Sequence, residues 1–185
     1  MIVVVEGPHG VGKTTVINAL RDKGHKIVEE HYMDLCIDDF DPQGIVCEMR
    51  WMASWCFHVK SLHKRSKLLI TDRSPLSAAV YTKHAASTFS ALSNVARAAM
   101  EEVGKVKIIK LTGDTEQIYT RIVKRLENEP ERAKFNENNK EHLLNVSKMY
   151  DEMHADVTIC TTDLAVEAVV QKVLSAIEVL VHEVE

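Results

Sequence analysis

The sequence predicts an α/β fold in which a five-stranded parallel sheet is covered by helices on both faces. Three observations predict it. Five short strand-like runs, at 1–5, 25–29, 67–72, 106–111 and 157–160, alternate with stretches of helical period. The 185 residues contain no linker, internal repeat or low-complexity segment, so the chain reads as one domain spanning 1–185. The first run passes through a glycine-rich loop straight into a helix, as parallel βα units do.

The opening run is rich in β-branched residues (Ile2, Val3, Val4, Val5) and closes on Glu6. Gly7-Pro8-His9-Gly10-Val11-Gly12-Lys13-Thr14-Thr15 follows and fits G-x-x-x-x-G-K-[ST], the phosphate-binding P-loop. Its glycines let backbone N–H groups turn inward around a phosphate oxygen, and the helix behind them adds its positive end. Gly7, His9, Gly10, Val11, Gly12, Lys13, Thr14 and Thr15 are therefore expected to cradle ATP. Lys13 would reach the β- and γ-phosphates, and the Thr14 hydroxyl would ligate Mg²⁺.

Val16, Ile17 and Leu20 carry the first helix, and Gly24 is placed to end it. The second strand leaves through Glu30 and His31. Residues 34–42 are acidic, with Asp34, Asp38, Asp39 and Asp41, and read as a solvated loop. From 43 to 64, Ile45, Met49, Met52, Trp55, Cys56, Val59 and Leu62 recur at helical spacing. The third strand ends at Asp72-Arg73-Ser74-Pro75, where Pro75 suits a first helical turn and Ser74 its cap. A helix covers 76–84. Ser87 or Ser90 is expected to cap the next, which Gly104 stops. After the fourth strand, Asp114 or Thr115 is expected to cap a helix through Leu126. Residues 128–139 are polar, contain Pro130 and read as a loop. A helix over 141–154, the fifth strand, and a last helix over 164–184 capped near Asp163 complete the pattern.

Composition narrows the partners. Net charge is −4 and Lys and Arg are scattered, so no nucleic-acid footprint is expected. No apolar run is long enough to span a membrane, and the first is too short for a signal peptide. The four cysteines have neither C-x-x-C nor zinc spacing and read as reduced thiols of a cytoplasmic protein. His58 and His63 are five apart, poor spacing for two metal ligands on one helix face.

Ligands in such sheets sit outside the carboxyl ends of strands. Asp72 ends a buried strand there, where P-loop proteins keep a second Mg²⁺-related acid. Arg73 beside it can clamp a phosphate through its planar fork. Arg121, Lys124, Arg125, Arg132 and Lys134 surround the polar loop and suggest a mobile lid at about 121–139. Their plainer reading is a solvated helix face balanced by Glu127, Glu129 and Glu131. Glu29 or Glu30 is a candidate general base or sugar ligand. Arg50, Trp51, Trp55 and Tyr81 are candidate walls of an acceptor pocket, with core packing favoured for the tryptophans.

The residues resemble those of thymidylate kinases and the related deoxynucleoside kinases, within the P-loop kinases. Residues 6–15 are similar to the thymidylate kinase E-G-x-D-G-x-G-K-T-T, with His9 in place of Asp. Residues 72–81 resemble that family's D-R-Y-x-x-S-x-x-A-Y, with Ser74 in place of Tyr, and Arg50 sits where the family has a phosphate-binding arginine. Deoxynucleoside kinases are similar at the same places. Their E-R-S-x-x-S resembles Asp72-Arg73-Ser74 to Ser77, and their lid R-x-x-x-R resembles Arg121 and Arg125. Their general base falls on Glu30, with His31 in place of a proline, and a base-reading glutamine seven residues before an arginine falls on Gln43 and Arg50.

The resemblance implies a P-loop kinase-like three-layer sandwich with a lid, using ATP and Mg²⁺, and a homodimer. It implies transfer of the γ-phosphoryl group to a deoxynucleotide, with dTMP as first expectation. The alternative acceptor is the 5′-hydroxyl of a pyrimidine deoxynucleoside. Lys13, Asp72, Arg73, Arg125 and Glu30 would carry catalysis. Glu30, Gln43, Arg50, Arg73 and Tyr81 would hold the acceptor, and Thr14 with Asp72 the metal. A kinase for another small metabolite and a non-kinase P-loop switch are the remaining readings. The guanine-reading N-K-x-D of such switches does not occur in the sequence.

Overall fold

A computed structural model describes residues 1–35 and 40–183. The chain runs β1 (Ile2–Glu6), α1 (Lys13–Asp22), β2 (Ile27–Val28), α2 (Tyr32–Leu35), α3 (Ile45–His63), β3 (Leu69–Asp72) and α4 (Leu76–Tyr81). It continues α5 (Ala85–Val103), β4 (Val106–Thr112), α6 (Thr115–Leu126), a 3-10 turn (Pro130–Phe135), α7 (Lys140–Glu152), β5 (Val157–Cys160) and α8 (Val166–His182). The strands form one sheet in the order β2-β3-β1-β4-β5. β2 pairs in parallel with β3, Ile27 opposite Ile70, and β4 with β5, Ile109 opposite Val157.

The chain divides into two compact units, Met1–Val4 with His25–Lys107, and Val5–Gly24 with Ile108–Glu185. In the first, Val28, Leu69 and Ile70 of the strands are buried with Trp51, Met52, Trp55 and Val59 of α3. Ala96 and Met100 of α5 join them, and α3 packs against both α4 and α5. Main-chain bonds tie the amino terminus in: Leu69 N–H donates to Met1 O (3.1 Å) and Ile2 N–H to Lys105 O (3.0 Å).

The predicted helix over 43–64 begins two residues late. Gln43 takes a positive φ of 61° and Gly44 an extended backbone, so neither is helical. The predicted stripe is also shifted. Met49 is 54% exposed, while Glu48 is buried on the face shared by Trp51, Met52 and Trp55. α5 starts at Ala85, ahead of both predicted caps, and Ser87 Oγ donates back to the His84 carbonyl (3.0 Å) instead. Ser74 does accept from a helix N–H, that of Leu76 (3.3 Å), although Pro75 holds the cap position. The one-turn helix α2 lies just past the strand exit and takes in the first two residues of the predicted acidic loop, 34 and 35; residues 36–39 of that loop lie outside the described residues.

In the second unit α1 packs on α8, and Ile118 and Ile122 of α6 are buried with Leu143, Val146 and Tyr150 of α7. One helix is capped as expected, Asp114 accepting from Gln117 N–H (3.0 Å); α7 is capped by Asn139, read from the sequence as the end of the polar loop, which accepts from Glu141 N–H (2.9 Å). Gly24, at φ 88°, follows α1. The buried Lys110 ammonium donates to the Tyr150 and Met153 carbonyls at the end of α7 (2.8 and 3.0 Å), where the helix dipole favours a cation. Asp163 does not cap α8. It adopts φ 57° and accepts from Gln117 Nε2 (2.8 Å), and α8 begins at Val166 behind Ala165. The predicted end of that helix at Val184 lies outside the described residues.

Candidate active site

Two sets of predicted residues are brought together, one in each unit. The P-loop belongs to the second. Gly12, at φ 106°, leads into α1, whose first residue is Lys13. The Lys13 side chain is buried and donates to the Gly7 and Pro8 carbonyls (2.7 and 2.9 Å), so its ammonium lies inside the curve of the loop. Two glycines are there because of crowding. A Cβ on Gly7 would stand 2.4 Å from the Leu111 carbonyl oxygen, and one on Gly10 would stand 2.5 Å from Ile122 Cγ1. Thr14 and Thr15 are exposed at the first turn of α1.

Beside the loop lies a pocket of about 190 Å³. Gly12, Thr15, Thr161 and Arg121 line it, with Val11, Leu164 and Val169 forming an apolar wall. Size and lining suit a flat heterocycle over an apolar face, with an arginine at the edge. The β5–α8 connection is fixed to the P-loop and to β4: Thr161 Oγ1 donates to Val11 O (3.5 Å) and Thr161 N–H to Thr112 O (2.8 Å).

Arg121, a candidate donor-side residue, thus lines the same pocket as Gly12 and Thr15. Arg125 and Arg132 both pair with Glu137, and Arg132 pairs also with Glu129. Glu137, 7% exposed, gathers two lid cations that were expected to face phosphates. His9 is buried and its ring stacks on His142 of α7, centroids 5.8 Å apart and planes 18° apart. Burial holds His142 below the ordinary imidazole range, with Glu137 opposing.

The other set centres on Arg73 in the first unit. Asp72, 9% exposed, closes β3, and the next residue leaves the strand with φ 66°. That left-handed backbone is costly for a side chain with a Cβ. It is held by two donors to the Arg73 carbonyl, Thr71 Oγ1–H (2.9 Å) and the Trp55 indole N–H (3.1 Å). The guanidinium is equally fixed. Its Nε donates to Glu30 Oε2 (3.0 Å), its Nη1 to Ser77 Oγ (3.4 Å), and its carbon lies 4.6 Å from the centre of the Tyr81 ring. Of the five candidate acceptor residues, Glu30, Arg73 and Tyr81 form one cluster.

Gln43 is buried, its N–H donating to Tyr32 Oη (2.9 Å), whereas Arg50 is exposed on α3. Trp51 and Trp55 are core residues, as favoured, although Trp55 also positions Arg73. Sequence reasoning missed Glu48, Tyr32, Thr71, Glu137, His142 and the pocket wall. Glu48 alone left a legible signal, an acid one turn from Trp51 and Met52 on an apolar helix face.

The description "AAA domain" belongs to a family model that matches residues 2–165. The chain belongs to the AAA domain family. Comparison with curated proteins finds no match. Among solved structures, this AAA domain superposes on deoxyadenosine kinase from M. mycoides. The form with products dCMP and a flexible dCDP bound gives a TM-score of 0.70 at 18% identity, covering 96% of this chain and 99% of that one. The form with bound dATP gives 0.70 at 18%, covering 96% and 100%, and the form with dCTP 0.65 at 16%, covering 96% and 99%. The likeness shows the fold, the α/β P-loop kinase-like sheet with helices on both sides that the sequence predicts.

Proposed function

We propose that the chain is an ATP-dependent deoxynucleoside kinase, passing the γ-phosphoryl group to the 5′-hydroxyl of a deoxynucleoside. The observation that carries this choice is the Glu30 carboxylate fixed on Arg73 (3.0 Å). A hydroxyl acceptor gains from a carboxylate that takes its proton as the new P–O bond forms, whereas a monophosphate acceptor needs arginines and no base. The first expectation from the motifs, dTMP as acceptor, has no comparable support, because Arg50 is exposed while Arg73 is held by a carboxylate. Solved structures sharing the fold are of a deoxyadenosine kinase, which favours the same choice.

The donor part lies in the second unit. The P-loop amides and Lys13 would hold the phosphates, and the pocket beside Arg121 the base. The acceptor part lies in the first, where Arg73 orients the reacting group against Tyr81 and Glu30 accepts its proton. In the donor part Thr14 offers a hydroxyl, a hard oxygen donor that suits Mg²⁺. The ion would offset charge on the donor phosphates.

ADP release tests this with Mg·ATP and, separately, deoxyadenosine, deoxycytidine, thymidine, dCMP and dTMP. Turnover with a nucleoside is expected. Turnover only with dTMP or dCMP would return the reading to a nucleotide kinase. ATP hydrolysis indifferent to every acceptor would favour the switch.

A further inference from the structure

Glu137 is a buried carboxylate that two arginines neutralise. Its Oε2 accepts from Arg125 of α6 and its Oε1 from Arg132 of the 3-10 turn (3.3 Å). His142 is the third residue of α7, and its ring lies face to face with His9 of the P-loop. Three features keep that ring neutral. It stands in the first turn of the helix, where its N–H donates to the Asn139 cap (3.2 Å) and the positive end of the dipole disfavours a cation. Its Nε2 is buried and has no hydrogen-bond partner among the described residues. A second imidazole covers one face. The charge of Glu137 is the influence that pulls the other way.

We propose that His142 is a counter-charge of the donor site: when nucleotide phosphates draw Arg125 and Arg132 off Glu137, His142 takes up a proton from solvent and replaces them. The arrival of phosphates rests on the kinase reading; the pairings at Glu137 do not. A buried carboxylate that loses its cations is costly unless another cation or a proton reaches it. Among the described residues, the titratable groups around His142 are His9 of the P-loop, Glu137 ahead of α7 and, across that carboxylate, Arg125 and Arg132. Glu129 shares Arg132 but is part-exposed, so water can replace its partner. Each departing arginine follows a phosphate that cancels its charge, and the field left at His142 is that of Glu137. One proton is gained, on the imidazole, and no other bond to hydrogen changes. Binding that raises the pKa of a group is favoured as pH falls. The gain in ATP affinity is therefore full below the pKa of the free protein's ring, which burial holds under the ordinary imidazole range, and is lost as pH rises through that of the nucleotide-bound form.

Calorimetric titration of the full chain with Mg·ATP, without acceptor, counts protons when run at pH 7 in phosphate and in Tris. His142→Phe keeps a ring against His9 but cannot ionise. Wild type is expected to take up about 0.3–1 proton more per ATP than His142→Phe. The difference between the two proteins removes protons exchanged by the nucleotide itself. From pH 8 to 6, Kd for Mg·ATP is expected to fall at least about threefold further in wild type than in the variant. Glu137→Gln has no charge to offset and is expected to match the low count of His142→Phe. Equal uptake in wild type and His142→Phe overturns the proposal, as does Glu137→Gln with the wild-type count. Should His142→Phe not fold, His142→Gln takes its place in the same comparison. No binding of Mg·ATP removes the donor site and the proposal together. The expected uptake without turnover of any nucleoside upholds the counter-charge and removes only the kinase reading.

Discussion

Replacing Thr71 by valine removes one hydroxyl and keeps the β-branched shape that a buried strand position favours. That hydroxyl donates to the Arg73 carbonyl at 2.9 Å, alongside the Trp55 indole at 3.1 Å. A non-glycine residue in the left-handed region costs about 1–2 kcal/mol. Each hydrogen bond contributes about 0.5–1.5 kcal/mol net. The two bonds therefore roughly balance the strain at Arg73, and losing one shifts the local equilibrium by about 1 kcal/mol, about fivefold. Thr71→Val is expected to lower the urea midpoint by an amount equal to about 1 kcal/mol at unchanged slope. It is expected to lower kcat/KM for the nucleoside about fivefold while KM for ATP stays put. Unchanged kinetics with lowered stability would mean that the bonded carbonyl does not place the guanidinium. An unchanged protein in both respects would remove the strain argument altogether.

Glu30→Gln keeps the size of the group facing Arg73 but removes its basicity, and kcat is expected to fall about 10²–10⁴-fold with acceptor KM changed much less, measured by steady-state ADP release. Gly7→Ala drives a Cβ to 2.4 Å from a backbone oxygen at φ 143°, so a loss of about 2–5 kcal/mol is expected in urea unfolding. His142 makes stability fall in acid: burial holds its folded pKa below the unfolded value, so the unfolded chain binds the proton first. Its contribution is whole above about pH 6.5 and is lost as pH falls through the folded pKa. Thermal melts of His142→Gln between pH 7 and 5 should fall less steeply than those of the wild type, and an identical slope would refute that role.

The fold was legible because its signals are local. The P-loop turns strand into helix within nine residues, and the cap at Asp114 acts across three positions. Where a boundary moved, a non-local bond moved it. Gln43 is drawn out of α3 by Tyr32 eleven residues away and by Lys83 forty residues away. Asp163 is drawn from its cap by Gln117, on a helix of the preceding crossover.

The same distinction explains what the site kept hidden. Residue type and strand position single out Lys13, Glu30 and Arg73 as candidates, because phosphate and proton chemistry use such groups. Nothing in the string shows that Arg73 is clamped from behind by Trp55 and Thr71, since each contact depends on a backbone turn of uncommon sign. A basic lid also looks the same in sequence whether its arginines face phosphates or a buried Glu137. That pairing has a consequence for closure. Charge-assisted bonds contribute about 1.5–3 kcal/mol each, so phosphates that recruit Arg125 and Arg132 must first compete with Glu137. Glu137→Gln should then lower KM for ATP while reducing stability in urea, and a raised KM would show that Glu137 instead presents the arginines to the donor.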